Sequence, residues 1–344
     1  MKIAHVNLAK GFRGGERQTI ILIKEIARDG LEQVLVCRTD SPMRKELEST
    51  KGLTFVSANN QLLGHFSLGH VDIIHAHDAK GVHWAYLYKL LRKVPYLITR
   101  RINVPIRDGF SNKLTYAASS AVVGVSESIG KLLINHTCSS VHLVPDSVSG
   151  DFLNSDFSIA VREKYADYFI VGHAGALVDS DKGQKLIISA ARILKERYPS
   201  VIFFMFGSGR DENELKSLSS DIDGVFWFGF KNNILDYLGS LDIFVFPSRN
   251  EGLGSILLDV MKLNVPIVAT NVGGIPDIIK DHKTGLLIQP NSPKALAEAI
   301  EALYLDADLR KKLVSGAEEF VKNYSPEVMA GKYLSLYKKV IGMV

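Results

Sequence analysis

Residues 241–270 read LDIFVFPSRNEGLGSILLDVMKLNVPIVAT. The apolar run LDIFVFPS reads as a buried strand, NEGLGS as a loop entering a helix near Gly254, and PIVATNV as the next strand. Strand, helix and strand in this order make the βαβ unit of a parallel sheet. Glu251 stands just before the helix, and Asp259 roughly one to two turns into it. A helix N-terminus beyond the carboxyl end of a strand offers unpaired N–H groups and a partial positive charge, which suits a phosphate. Gly252 and Gly254 let that backbone approach a diphosphate closely. Glu251 can accept hydrogen bonds from sugar hydroxyls, and Asp259 can hold a ribose diol. By spacing alone, the same two acids are also what an ordinary helix start and helix surface carry.

The alternation extends in both directions. Upstream lie the strand YFIVGHAGAL, the helix KLIISAARILKERYP and the strands VIFFMFGSG and VFWFGF; downstream lies TGLLIQ. A polar stretch at about 149–167 precedes this set, and before it stands another. That first set comprises KIAHVNLA, the helical RQTIILIKEIARDG, QVLVCRT, DIIHAHD, the helical GVHWAYLYKLLRKV, PYLITRR, SAVVGVS and VHLVP. Two successive sets predict an α/β protein of two doubly wound, Rossmann-like domains facing a cleft, divided at about 150–168. The assigned ranges are 1–160, 161–325 and a last helix, 326–344, capped by Ser325 with Pro326 in its first position and expected to cross back to the first domain.

The chain's 344 residues exceed the size at which single cores stop growing, so two domains are the default. A hydrophobic fraction of 46% and a charged fraction of 23% exclude disordered and fibrous classes. Cys37 and Cys138 have no CxxC spacing, which fits a reduced, cytoplasmic setting. The opening MKIAHVNLAKGFRGGE lacks the apolar core of a secretory signal, and no run approaches a membrane span, so the expectation is a soluble or peripheral protein. Residues 1–165 carry 21 Lys/Arg against 15 Asp/Glu and the remainder 20 against 22, a basic first half within a net charge of +4. That half suits a membrane surface, an anionic glycolipid or a nucleotide, or simply a solvated mixed surface.

The words around the opening segment sharpen this reading. PSRNEGLGSILLDVMKLNVPIVATNVGGIPDIIKDHKTGLLI resembles the C-terminal signature of retaining glycosyltransferases of family 4, which have the GT-B fold. Pro247, Ser248, Glu251, Gly252, Gly254, Met261, Pro266, Ala269, Gly273, Gly274 and Gly285 fall in its pattern. The pattern's second Glu is Asp259 here, and the Glu after its glycine pair is Asp277. GALVDSDKGQKLIISAARIL resembles the family's phosphate loop, with Lys182 at the lysine that neutralises the leaving diphosphate and Ala176 at the usual arginine. The resemblance implies that Arg249, Arg100 or Arg101 supplies the missing charge, or that one cation suffices. RGGERQ resembles the family's loop between first strand and helix, placing Gly14 and Gly15 against the donor, with Arg17 a candidate acceptor contact. PYLITRR puts Arg101 at a position where the family usually has a His that contacts the donor sugar. After Pro145 the family usually has Asn-Gly, whereas this chain has Asp146-Ser147.

The resemblance implies sugar transfer from a nucleotide-sugar, a UDP-sugar first and an ADP- or GDP-sugar next, to a hydroxyl of a glycan or glycolipid. A bacterial surface-glycan or lipopolysaccharide-type acceptor is expected against the basic first domain. Glu251, Lys182 and Arg101 are the catalytic candidates. Gly14, Gly15, Arg249, Asp259 and the amides of Gly252, Leu253, Gly254 and Ser255 are the donor-binding ones. Arg17, His77 and Asp78 are weaker acceptor-side candidates. No metal or other cofactor is expected. Asp179-Ser180-Asp181 spells a metal-binding D-x-D but sits inside the phosphate loop. His75 and His77 share a strand face without an identifiable third ligand. HWAYLYKLLRKVPY is either a membrane-facing helix or a core helix with a solvated basic face, so contact with the inner membrane surface stays open. No recognisable nucleic-acid module is present, and no nucleic-acid partner is expected. The alternatives are an NDP-sugar epimerase or hydrolase of the same fold, and a catalytically silent glycan- or nucleotide-binding protein.

Overall fold

The computed structural model describes residues 1–150 and 154–343. The chain forms two compact units, Met1–Gly150 with Tyr324–Val344, and Asp151–Asn323. The first holds β1 (Lys2–Asn7), β2 (Glu32–Cys37), β3 (Leu53–Ser57), β4 (Ile73–Ala76), β5 (Tyr96–Arg100), β6 (Ala121–Gly124) and β7 (Val141–Leu143). They form one sheet in the order β3-β2-β1-β4-β5-β6-β7, with every pairing parallel. The second holds β8 (Phe169–Ala174), β9 (Val201–Phe206), β10 (Val225–Gly229), β11 (Ile243–Phe246), β12 (Ile267–Thr270) and β13 (Leu286–Ile288). Their order, β10-β9-β8-β11-β12-β13, is also all parallel. Two doubly wound, Rossmann-like sheets are thus what the alternation predicts.

Central parallel strands are covered on both faces, so they read as unbroken apolar runs. VIFFMF is buried at all six positions. In the second unit, helices Gln184–Lys195 and Pro293–Leu305 pack together over the sheet and share its core. In the first, helix Pro326–Val340 packs on helix Gly14–Arg28 and sends Met329, Tyr333, Leu336 and Tyr337 into the core beside Ile3, Ile73 and Leu97. The Ser325 hydroxyl accepts from the Val328 N–H at 3.3 Å and caps that helix.

Three local features depart from the sequence reading. β3 has no counterpart among the expected strands, because LTFVS is a sheet-edge strand with only Val56 buried. The polar stretch near 149–167 contains helix Ser155–Lys164, capped by Asn154, while residues 151–153 of that boundary lie outside the described residues. The helix expected from Gly254 starts at Ile256, because Gly254 has φ +83°, a left-handed conformation no α-helix contains. Asp259 therefore sits within the first turn.

In each sheet the strand order reverses once, between β1 and β4 and between β8 and β11. Loops leaving the carboxyl ends of those neighbours diverge and leave a crevice, the general ligand position of open α/β sheets.

Candidate active site

In the second unit, the loops after β8 and β11 carry the phosphate-loop and Glu251 segments. They meet through two ion pairs, and in the first the Lys182 ammonium donates to the Glu251 carboxylate. The second Glu251 oxygen accepts from the Gly252 N–H at 3.2 Å, and Lys182 Nζ lies 5.1 Å from the Phe246 ring centroid. Side-chain exposures of 21% and 16% leave the pair reachable by a ligand yet largely screened from water. Gly183 makes the approach possible. It has φ +69°, and a Cβ there would stand 2.2 Å from the Pro247 carbonyl oxygen.

Arg249 straps the same loops from outside. Its Nη1 donates to Asp179 Oδ2 at 2.8 Å, and its Nε donates to Asn291 Oδ1 at 2.8 Å. Asp179 also accepts from the Lys185 N–H at 2.7 Å, so the first acid of the D-x-D sequence holds a loop together. The Arg249 charge is matched by Asp179, which sets Lys182 as the cation facing Glu251. Ser255 and Ile256 open the helix that carries half-buried Asp259, and Leu253 is buried.

Sequence reasoning missed what lies beneath the loop. His173 Nδ1 faces the Val245 carbonyl oxygen at 3.0 Å, bridging β8 to β11, and its Nε2 faces Gln184 Nε2 at 3.4 Å. Gln184 also donates to the Ala176 carbonyl oxygen at 2.9 Å. Burial lowers the His173 pKa to about 4, so a neutral ring with Nδ1 protonated follows from the network. The signal was the polar His in an otherwise apolar strand end, VGHAGAL.

In the first unit, Gly14 and Gly15 open helix Gly14–Arg28, and a Cβ added to Gly15 would meet Arg101 Cδ at 3.7 Å. Arg101 Nε donates to Asp146 Oδ1 at 2.9 Å, and its Nη1 donates to His77 Nδ1 at 3.3 Å. The two charged side chains are 9% and 8% exposed. Burial works against the Arg101 charge, but the Asp146 carboxylate more than restores it and holds the guanidinium protonated. Burial in turn pushes the Asp146 carboxyl upward against the pull of Arg101. Gln18 clasps the Ser147 backbone at 2.8 and 3.0 Å, which positions the loop bearing Asp146. Arg17 lies half-buried in the first helical turn. Asp78 accepts from the Leu8, Lys80 and Gly81 N–H groups at 2.8, 3.2 and 3.0 Å, so it caps helix Ala79–Arg92 and fixes the end of β1.

The structure supplies the third histidine that spacing could not, since His5, His75 and His77 bring ring nitrogens within 4.8 Å of one another. All six ring nitrogens have partners already. His5 Nε2 faces Gln33 Oε1 at 3.1 Å, His5 Nδ1 faces His77 Nε2 at 3.0 Å, and His77 Nδ1 accepts from Arg101. Reading from that arginine, His77 carries its proton on Nε2 and His5 on its own Nε2. His75 bonds Tyr337 at 2.6 Å and Thr99 at 2.7 Å. An ion would have to displace these bonds, so the trio reads as a hydrogen-bonded core rather than a metal centre.

Burial lowers the His5 pKa to about 4, as it does His173, and lowers His75 and His77 as well. Each unfolded ring titrates near 6.5, so between 6.5 and 4 the unfolded chain binds more protons and stability rises with pH. From pH 6.5 to 5, His173 alone removes about 2 kcal/mol from the second unit. The thermal midpoint should therefore fall steeply over this window, and His173→Gln should flatten the slope of the second unit's transition. An equal slope in the variant would show that this ring is not the titrating group.

Two all-parallel, doubly wound sheets, each with a crevice at its strand-order reversal, have GT-B architecture. The family described as "Glycosyltransferase Family 4" matches residues 12–149, and "Glycosyl transferases group 1" matches residues 154–320. The chain belongs to glycosyltransferase family 4 and is a glycosyltransferase. The lipopolysaccharide core biosynthesis glycosyltransferase LpsE of Rhizobium meliloti (strain 1021) is 25% identical, over 98% of both chains. The capsular polysaccharide biosynthesis glycosyltransferase CapM of Staphylococcus aureus is 28% identical over 52% of this chain, and the match spans about half, 49%, of its own length. The crystal structure of Anabaena Alr3699/HepE in complex with UDP and glucose superposes with a TM-score of 0.83 at 18% identity, covering 98% of this chain and 100% of that one. At that identity the likeness speaks to the fold.

Proposed function

We propose that the chain moves a sugar, with retention of anomeric configuration and without a required metal, from a UDP-sugar to a hydroxyl of a glycan or glycolipid at the cytoplasmic face of the membrane. The observation that carries this reading is the Lys182–Glu251 pair at the reversal between β8 and β11. Without a ligand the two groups satisfy each other. An entering diphosphate takes the ammonium, which frees Glu251 to accept from donor-sugar hydroxyls. As the glycosidic bond breaks, negative charge gathers on the diphosphate, and Lys182 with the amides of Gly252–Ser255 stabilises it. Asp259 holds the ribose, and a phosphate oxygen of the leaving group takes the acceptor proton. Gly14, Gly15 and Arg101 line the donor's sugar end, and Arg17 and His77 belong to the acceptor side. HepE's bound UDP and the surface-glycan roles named for LpsE and CapM support the donor and acceptor classes.

Thermal shifts with UDP, ADP and GDP test the donor, since a ligand that binds the folded state raises its midpoint. UDP should give the largest shift. Transfer to extracted lipopolysaccharide, followed by NMR of the new linkage with and without EDTA, should give the donor's anomer at an unchanged rate. Free sugar released at full rate without acceptor would instead establish a hydrolase.

A further inference from the structure

Residues 80–142 carry nine Lys/Arg and two Asp/Glu, while the rest of the chain carries 32 against 35, so this segment holds more than the entire net positive charge. Within it, helix Phe110–Ala117 is turned inside out. Phe110, Lys113, Leu114 and Ala117, the i, i+3, i+4, i+7 stripe, are exposed, whereas Thr115 and Tyr116 point inward. The inward groups are bonded: the Tyr96 hydroxyl donates to the Thr115 carbonyl oxygen, and Arg100 Nη1 donates to the Tyr116 hydroxyl at 3.4 Å. Register is therefore fixed, and the apolar stripe faces water, with Phe110 84% exposed.

The stripe is not alone. The preceding loop exposes Ile102 and Val104 and is pinned by Arg100 to the Val104 carbonyl oxygen. Helix Ala79–Arg92 packs against helix Phe110–Ala117, and Lys89 Nζ donates to the Ala118 carbonyl oxygen at 2.5 Å. Its last turn exposes Leu90 and Leu91 next to Arg92 and Lys93. Two aromatics of that helix, Trp84 and Tyr88, are buried and not part of the surface, and Trp84 donates to the Leu63 carbonyl oxygen at 2.7 Å. Scattered exposed leucines need no explanation. Six large apolar side chains among Arg107, Lys113, Arg92 and Lys93, with Asp108 the one acid between residues 79 and 126, do.

We propose that this face of the first unit is a docking surface for an anionic lipid bilayer, with Phe110, Leu114, Leu90, Leu91, Ile102 and Val104 entering the headgroup–acyl boundary and the basic side chains engaging lipid phosphates. Charge complementarity selects this partner. A second copy of the same face would set Arg92, Lys93, Arg107 and Lys113 against themselves, with Asp108 the one acid among them, whereas an anionic leaflet attracts each Lys or Arg. Among the described residues no helix is long and apolar enough to cross a membrane, so the attachment is interfacial. The inference deepens the membrane-face location proposed above and is tested without donor or acceptor.

The full chain is sedimented with vesicles of equimolar phosphatidylglycerol and phosphatidylcholine, and with phosphatidylcholine alone. Binding should require the anionic lipid and weaken with salt. Phe110→Ser and Leu114→Ser should each lower the partition coefficient about tenfold. Arg107→Glu with Lys113→Glu should abolish binding. All substituted side chains are exposed, so thermal midpoints and UDP-induced shifts should stay at wild-type values; a lost UDP shift would speak against the donor site instead. Equal binding to neutral vesicles overturns the proposal, as does anionic binding unaltered in the three variants. Self-association in sedimentation velocity that Phe110→Ser abolishes also overturns it, by showing that a second copy covers the face.

Discussion

Glu251→Gln should lower kcat for transfer about a hundredfold to a thousandfold, while UDP binds as well as before or more tightly. The two effects separate because the carboxylate has two neighbours. Toward Lys182 it neutralises the ammonium that the diphosphate needs, so its removal leaves the cation unopposed and favours nucleotide. Toward the sugar it is the acceptor that orients the donor, and an amide there loses the charged hydrogen bond in the transition state. Lys182→Met should instead lose on both counts, weakening UDP binding and kcat together. The check is a UDP titration beside steady-state transfer for both variants. A Glu251→Gln enzyme turning over at the wild-type rate would remove Glu251 from the chemistry.

A second large effect is expected at the Arg101–Asp146 pair. The two residues attract notice separately in the sequence, one at a usual His and the other at a usual Asn, and in the structure they touch at 2.9 Å. Asp146→Asn leaves a guanidinium without its counter-charge at a site almost closed to water. Breaking a buried pair this way costs about 3–5 kcal/mol, which lowers the thermal midpoint by roughly 10 °C. Arg101→His leaves the carboxylate uncompensated and should also destabilise. Arg101→His with Asp146→Asn removes both charges at once, so the double variant should regain most of the lost midpoint. Thermal melts of the three proteins give the coupling directly. Single-variant losses that simply add in the double variant would show that the residues do not depend on each other.

The fold was legible because its strands are buried on both faces and so stand out as apolar runs, and because glycines and prolines mark the turns between them. β3 escaped since an edge strand needs no such run. The loop motifs around Lys182 and Glu251 were visible, but 69 residues separate the partners, and nothing local states that they meet. Arg249 shows the same limit. As a sequence it offered a free cation, and only the fold reveals Asp179 against it. His75 and His77 were evident on one strand face. His5 comes from another strand and Tyr337 from 262 residues beyond His75, so the network they complete has no sequence period. The stripe at Phe110–Ala117 was hidden for a different reason. Helical spacing tells which residues share a face, and not whether that face turns inward.

The helix Pro326–Val340 has a consequence for how the chain is made. Its Tyr333 and Tyr337 fill the core of the first unit and bond Thr99 and His75, yet 234 and 262 residues of chain separate them from those partners. The second unit, contiguous from Asp151 to Asn323, is complete before they emerge. Synthesis therefore finishes the later unit first. The earlier one lacks part of its core, and His75 its Tyr337 partner, until the closing helix follows.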